Sequence, residues 1–384
     1  MQESDLRIFI GPARIGNIGS LLAGALIERG IRVTHAIHQI SPERAESGMQ
    51  YDILLDLVGP DSRRFSRLRR AIRYLCYFAR FFLQHNTFIF LAGGSLLPYN
   101  MDLPILKLFR KKTVMWFVGS DIRHYESLAA AAQKAGIKHF VSSDRDAGPR
   151  ALTGKLRMIR VVEKLVDYII SNPSYSQLLS RRYIMICVPQ DICNIRYNNR
   201  PDNRTPMVVH APSNPELKGT AHILEAVERL KGEGYEFEFR LFTKTSNTAV
   251  RESLSEADIS VDQLFGLVPG MFAIESMAAG CAVLGSSYPD FGGFPPELPV
   301  IHTDADNVYQ NLKMLLENPG LRQELGERGR RYVEKYHDHR KIADDFIRLI
   351  TKGEADIIFD PRPGADDRRG KAPARTKPRH NLRS

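Results

Sequence analysis

Between Ala257 and Ser287 the chain reads ADISVDQLFGLVPGMFAIESMAAGCAVLGSS, and no other stretch restricts the possible folds as much. Ile259 and Val261 predict a short buried strand, and Gly266, Pro269 and Gly270 a loop. A helix is expected to start near Phe272, and residues 281–284 predict a second strand. Strand, loop and helix N-terminus in that order make an anion site. Free backbone N–H groups and the positive end of the helix dipole point past the strand end. Glu275 is expected in the first helical turn with its carboxylate facing the loop; alternatively it only favours the helix start electrostatically.

A second strand end belongs beside this one. Residues 206–210 predict a strand ending in HAPSNPELKGT, and an amphipathic helix continues through Ile223, Leu224, Val227 and Leu230. One domain then offers a lysine at one strand's carboxyl end and a carboxylate at another's. That pair suits a sugar nucleotide, with Lys218 against the diphosphate and Glu275 accepting from ribose or sugar hydroxyls. The expected donor-binding set here is His210, Ser213, Lys218, Gly219, Gln263, Gly270 and Glu275, with Lys244 in the polar loop 243–248 as a second phosphate contact.

The succession KGT, AD-I-x-V-D and IESMAAGCAVL resembles the C-terminal half of the retaining, GT-B-fold glycosyltransferases, in the large family that includes sucrose synthase-like and mannosyltransferase enzymes. The likeness covers roughly residues 5–350 and is stronger in the C-terminal half. The family's signature is an arginine before a lysine–glycine pair, then two glutamates with seven residues between them. Lys218 and Glu275 match the lysine and the second glutamate. Leu267 stands at the position of the first glutamate, and Ser213, Asn214 and Pro215 fill the turn where the arginine is expected. The resemblance implies an α/β protein of two Rossmann-like, doubly wound parallel-sheet domains facing each other across a cleft, a nucleotide-sugar donor, and retention of configuration. It also implies a histidine or aspartate of the N-terminal domain near the transferred sugar.

With 384 residues, 43% of them hydrophobic, the chain is long enough for two domains with separate cores. They are expected at 1–198 and 205–335, around the polar linker NNRPDNR. Residues 336–352 form a terminal helix that the resemblance returns to the N-terminal domain, and 360–384 a basic disordered tail. Cys76, Cys187, Cys193 and Cys281 lack metal-site spacing and read as reduced thiols of a cytoplasmic protein. The start, MQESDLRIFIGP, enters a strand within a few residues, so no signal peptide is expected, and no apolar run reaches the ~20 residues of a spanning helix.

In the N-terminal half, residues 6–10, the turn GPARIGNIGS, a helix over 21–29 and a strand over 31–37 predict a β-α-β start. Gly11, Gly16 and Gly19 lack the G-x-G-x-x-G spacing, and His38 and Gln39 stand where a dinucleotide-binding strand would end in an acid, which argues against a dehydrogenase. Gly16 is expected to let backbone approach the donor or acceptor. Further strands are expected at 52–58, 87–92, 113–118 and 168–171, and a helix at 175–181. Polar residues past strand ends make Asp102, Asp121 and Arg123 the cleft candidates here, Asp121 and Arg123 alternatively pairing with each other or capping a helix. The expected catalytic set is therefore Asp102, Asp121, Lys218 and Glu275.

The net charge of +10 is uneven: residues 361–384 carry +6, residues 62–85 carry +7, and the remainder about −3. In the helix expected over 63–82, Phe65, Leu68, Ile72, Leu75, Ala79 and Phe82 form the presumed core stripe. Arg63, Arg67, Arg70 and Arg73, mixed with Tyr74, Tyr77 and Phe81, form the outer face. Exposed aromatics among arginines without acids predict docking on an anionic membrane surface; a plain solvated face is the alternative.

The expected activity is transfer of a sugar from a UDP- or GDP-linked donor to a lipid-linked or polysaccharide acceptor, at the inner face of the membrane. No cofactor is expected, the nucleotide-sugar being substrate. No metal is expected, Lys218 and Lys244 taking its place at the diphosphate. Lys218→Ala is expected to abolish transfer and leave the fold intact. Leu267 favours one alternative, a non-catalytic GT-B-like subunit that binds a sugar nucleotide or a partner. A nucleotide-sugar epimerase would need more cleft carboxylates and histidines, and nucleic acid, supported by the basic tail alone, is not an expected partner.

Overall fold

The computed structural model describes residues 2–38, 53–55, 64–140, 149–197, 205–243 and 245–361, which fall into two compact units. The 360–384 tail beyond Pro361 and the 198–204 linker lie outside the described residues. The first unit begins with β1 (Arg7–Gly11), α1 (Ile18–Glu28), β2 (Arg32–His38), β3 (Ile53–Leu55), α2 (Arg64–Gln84), β4 (Thr87–Leu91), α3 (Leu103–Leu108) and β5 (Lys112–Trp116). Helix α4 (Tyr125–Lys134) belongs to the second unit; α5 (Pro149–Leu165), β6 (Tyr168–Ile170) and β7 (Tyr183–Ile184) return to the first. The second unit continues with β8 (Met207–His210), α6 (Pro215–Lys218), α7 (Thr220–Gly232), β9 (Glu238–Leu241), α8 (Asn247–Leu254) and β10 (Ile259–Val261). Then come α9 (Met271–Ala279), β11 (Ala282–Gly285), β12 (Val300–His302), α10 (Val308–Glu317) and α11 (Pro319–Tyr336). Helix α12 (His339–Lys352) and β13 (Ile358–Phe359) rejoin the first unit.

The sheet of the first unit has the order β13-β7-β6-β5-β4-β1-β2-β3 and is parallel except for β13, which runs antiparallel to β7. Both faces are covered, so the central strand β4, TFIFL, is apolar without alternation and wholly buried. On one face Leu22 and Leu26 of α1 pack with Phe346 and Ile350 of α12; on the other Phe81 of α2, Leu106 of α3 and Val162 of α5 pack with Phe9 and Phe88. The spacing of Ile342, Phe346, Leu349 and Ile350 is what seats α12 here. Helix α5 runs unbroken from Pro149 to Leu165. The helix expected over 175–181 is only a single turn, Pro173–Tyr175, where the Ser176 hydroxyl donates to the Asn172 carbonyl.

Helix α2 lies the other way round from the sequence expectation. Phe81 is fully buried, 4.8 Å from the Phe9 ring. Tyr77 stacks on Phe81, and half-buried Tyr74 meets the edge of His38, so these three residues face the sheet and are not an outer face. Ile72, Leu75 and Ala79, expected in the core, are exposed. Two apolar stripes compete on this helix, and the one with the larger aromatic area is buried. Arg73 is exposed, whereas Arg63 and the side chains of Arg67 and Arg70 lie outside the described residues.

The second unit has a five-stranded parallel sheet, β12-β11-β10-β8-β9. Leu128 and Ala132 of α4 pack with Leu267, which attaches that helix to this unit in place of the N-terminal domain of the sequence division. Helix α9 is apolar nearly all round and accordingly buried. It ends at Gly280, whose φ of +88° only glycine adopts without strain. Helix α11 crosses this end so closely that a Cβ on Gly326 would collide with the Gly280 carbonyl. Backbone cannot rotate aside, so Gly326→Ala should cost about 1–3 kcal/mol, read as a lower urea midpoint.

Candidate functional site

Strands β8 and β10 are neighbours, His210 pairing with Val261, so the residues after each share one edge of the sheet. After β8, the Asn214 side chain accepts from the backbone N–H groups of Glu216 and Leu217 and so caps α6. Gly219 then turns the chain at a φ of +69°, in a space where a Cβ would lie 2.9 Å from that of Leu264. This tight turn delivers Lys218 to the loop after β10. There Asp262, its side chain wholly buried, holds Lys218 Nζ 2.6 Å from its Oδ1. Its Oδ2 accepts from the Gly270 N–H at 2.6 Å. A Cβ on Gly270 would stand 3.1 Å from Asp262 Oδ2 and 3.2 Å from Lys218 Nζ, so a side chain there would press on the pair. Gly270 immediately precedes α9, and the lysine ammonium is thereby fixed at that helix's positive end.

Asp262 is the organising residue, and the expected site set omits it. Its signal was present as the last letter of AD-I-x-V-D, directly after a predicted strand.

His210 does not serve the donor. It is 1% exposed; Nδ1 donates to the Val261 carbonyl at 2.7 Å, and Nε2 accepts from the Thr220 hydroxyl at 2.9 Å. Burial lowers its pKa to about 4, so it is neutral at pH 7 and ties β8, β10 and α7 together. Above pH ~6.5 folded and unfolded chains both carry it neutral; as pH falls, only the unfolded chain takes up the proton. Stability should therefore decline between pH ~6.5 and ~4, by on the order of 3 kcal/mol from this residue, and His210→Asn should flatten that part of the urea-midpoint profile.

Gln263 is likewise engaged locally, its amide donating to the Val268 carbonyl across the loop. Ser213 is exposed beside the α6 cap, and Lys244 lies outside the described residues. Glu275 is not in the first turn, because α9 begins at Met271. Its Oε1 accepts from Arg251 of α8, at 2.6 Å from Nη2 and 3.1 Å from Nε. This arginine, invisible as a partner in the sequence, ties α8 to the middle of α9. Leu267, at the position of the family's first glutamate, is buried against Leu128 and Ala132 and brings no acid.

In the first unit Asp102 is fully buried: it accepts from the Ser95 hydroxyl and from Leu96 N–H at 3.0 Å, and burial raises its pKa. It braces the loop after β4 and does not face solvent, which removes it from the catalytic set. Asp121 stands in the turn that follows β5. It accepts from the backbone N–H groups of Val118 and Gly119, with its pKa raised by burial, while the Arg123 guanidinium lies 5.8 Å from the Tyr175 ring centroid. Gly16 has a φ of +49° and lines a recess with Ser20 and His35 at the start of α1.

The expectation of a metal-free site leaves two Asp-x-Asp spacings out of account, 144/146 and 304/306. The first lies outside the described residues. In the second, Asp306 Oδ1 lies 3.0 Å from His139 Nε2, and Asp304 accepts from the Asp306 N–H. Among the described residues no group of three or more His, Cys, Asp or Glu is placed to hold a metal, and no helix is long and apolar enough to cross a membrane.

Residues 221–348 match the family described as "Glycosyl transferase-like". No curated relative matches the chain in sequence. Among solved structures it is similar to a sucrose-phosphate synthase from Thermosynechococcus elongatus, with a TM-score of 0.60 at 15% identity over 89% of this chain and 97% of that one. An alpha-glucosyltransferase in complex with UDP-glucose and DNA containing an abasic site gives 0.62 at 13%, over 90% and 100%. WaaG, a glycosyltransferase involved in lipopolysaccharide biosynthesis, gives 0.54 at 13%, over 90% and 100%. Residues 221–348, which begin just after Lys218 and lie mostly in the second unit, thus carry a glycosyl transferase-like sequence, on a fold of two parallel-sheet α/β domains of the GT-B kind.

Proposed function

We propose that the protein transfers a sugar from a UDP- or GDP-linked donor to a hydroxyl of a lipid-linked or polysaccharide acceptor, with retention and without metal, at an anionic membrane surface on the cytoplasmic side. The observation that carries the donor half is the Lys218–Asp262–Gly270 arrangement at the start of α9. An ammonium has three N–H donors and Asp262 takes one, which leaves donors directed at a departing diphosphate. With the helix dipole behind it, this group stabilises charge that develops on the leaving oxygen, so positioning and electrostatics do the catalytic work. The neighbour bound to UDP-glucose supports a uridine donor, and the lipopolysaccharide enzyme supports a lipid-linked acceptor.

The test is release of nucleoside diphosphate from UDP- and GDP-sugars, with and without a short-chain lipid-linked saccharide. Release that depends on acceptor and persists in chelator is expected. Leu267 buried where an acid was expected favours a second reading, a non-catalytic sugar-nucleotide-binding subunit. Donor binding with no release under any acceptor would support that reading instead.

A further inference from the structure

Between Asp61 and Asp121 the sequence holds eleven Lys or Arg and one acid, Asp102, which is buried. Helices α2 and α3 come from this segment and cover the same face of the first unit's sheet, their Phe82 and Phe109 rings in edge contact at 5.1 Å. Each buries one stripe and displays a second apolar one. On α2 the displayed residues are Ile72, Leu75 and Leu83, the last 75% exposed. On α3 and just past it they are Ile105, Leu108 and Phe109, the last two 78% and 60% exposed. Both sets follow the helical repeat, so they form continuous ridges and not scattered surface residues. Exposed Arg69, Arg73, Arg80, Lys107 and Arg110 flank them.

We propose that this side of α2 and α3 is a membrane-docking face whose apolar ridges enter an anionic bilayer while the flanking cations meet lipid phosphates. It deepens the membrane half of the reading above and rests on it, keeping Arg73 but putting Ile72, Leu75 and Leu83 in place of Tyr74, Tyr77 and Phe81. Charge decides the occupant. A second copy of the same face would set cation against cation with no acid to neutralise it. A nucleic acid would answer the cations but leave protruding leucines without partners. Anionic lipid answers both: acyl chains accept Leu83, Leu108 and Phe109, and headgroups accept the bases.

The experiment is cosedimentation of the full chain with vesicles of phosphatidylcholine alone or mixed with phosphatidylglycerol, at low and high salt. The wild type should bind the mixed vesicles, more weakly at high salt. Leu83→Gln, Leu108→Gln and Phe109→Gln combined should lower the partition coefficient about tenfold or more. These positions are exposed, so an unchanged melting temperature would show that the variant folds. Arg80→Gln with Arg110→Gln should lower binding to mixed vesicles and diminish its salt dependence. Absence of wild-type binding would overturn the proposal, as would undiminished binding by the triple variant, which keeps the basic tail. A concentration-dependent dimer in sedimentation velocity that the triple variant abolishes would assign the face to a second copy instead. No donor or acceptor is present, so failure here leaves the transfer reading standing, and failure of nucleotide release leaves the docking face standing.

Discussion

Lys218→Gln is expected to lower transfer turnover by about 10²–10³-fold, the loss that follows removal of one donor aimed at developing charge. Glutamine removes the positive charge and, though one atom shorter, still carries an N–H donor for Asp262 Oδ1. Alanine, the obvious choice from sequence, is the poorer test. Asp262 is wholly buried, and Lys218→Ala would strand its carboxylate with the Gly270 N–H alone. Lost activity could then reflect a loosened loop as well as a missing cation, so the expectation that alanine leaves the fold intact is revised. Turnover and melting temperature measured together separate the two: the glutamine variant should lose rate with the smaller loss of stability, whereas alanine should lose more stability because it leaves Asp262 Oδ1 with no donor at all.

Asp262→Ala should have the largest effect on stability, about 3–5 kcal/mol, because it leaves the ammonium of Lys218 half enclosed and unneutralised and the Gly270 N–H unpaired. Asp262→Asn, which retains a carbonyl oxygen for one of the two bonds, should cost clearly less. Urea unfolding followed by far-ultraviolet circular dichroism reads both. Equal, small losses would mean that the buried pair does not hold this corner of the sheet together.

Much of the architecture was legible because its determinants are local. A continuous apolar run followed by a glycine-bearing turn and a helix predicts a parallel strand covered on both faces, and β4 is such a run. Lys218 was legible too, since Asn214, Pro215 and Gly219 define the turn that presents it. What sequence could not give was partnership. Glu275 meets Arg251 from another helix, 24 residues away, and Asp102 meets Ser95 inside its own loop, so two acids expected at the substrate are spoken for. The facing of α2 failed for a different reason. Helical periodicity offers two apolar stripes, and only the aromatic cluster of Phe9, Phe81 and Phe88 determines which one the sheet accepts.

Binding of the donor's diphosphate by Lys218 and the start of α9 is read by titration calorimetry of UDP, GDP, ADP and their sugar conjugates, in magnesium and in chelator. One nucleotide family should bind with an affinity indifferent to magnesium, and Lys218→Gln should weaken it at least tenfold, or about 1.4 kcal/mol. Binding that requires magnesium, or that survives Lys218→Gln unchanged, would contradict metal-free binding at Lys218.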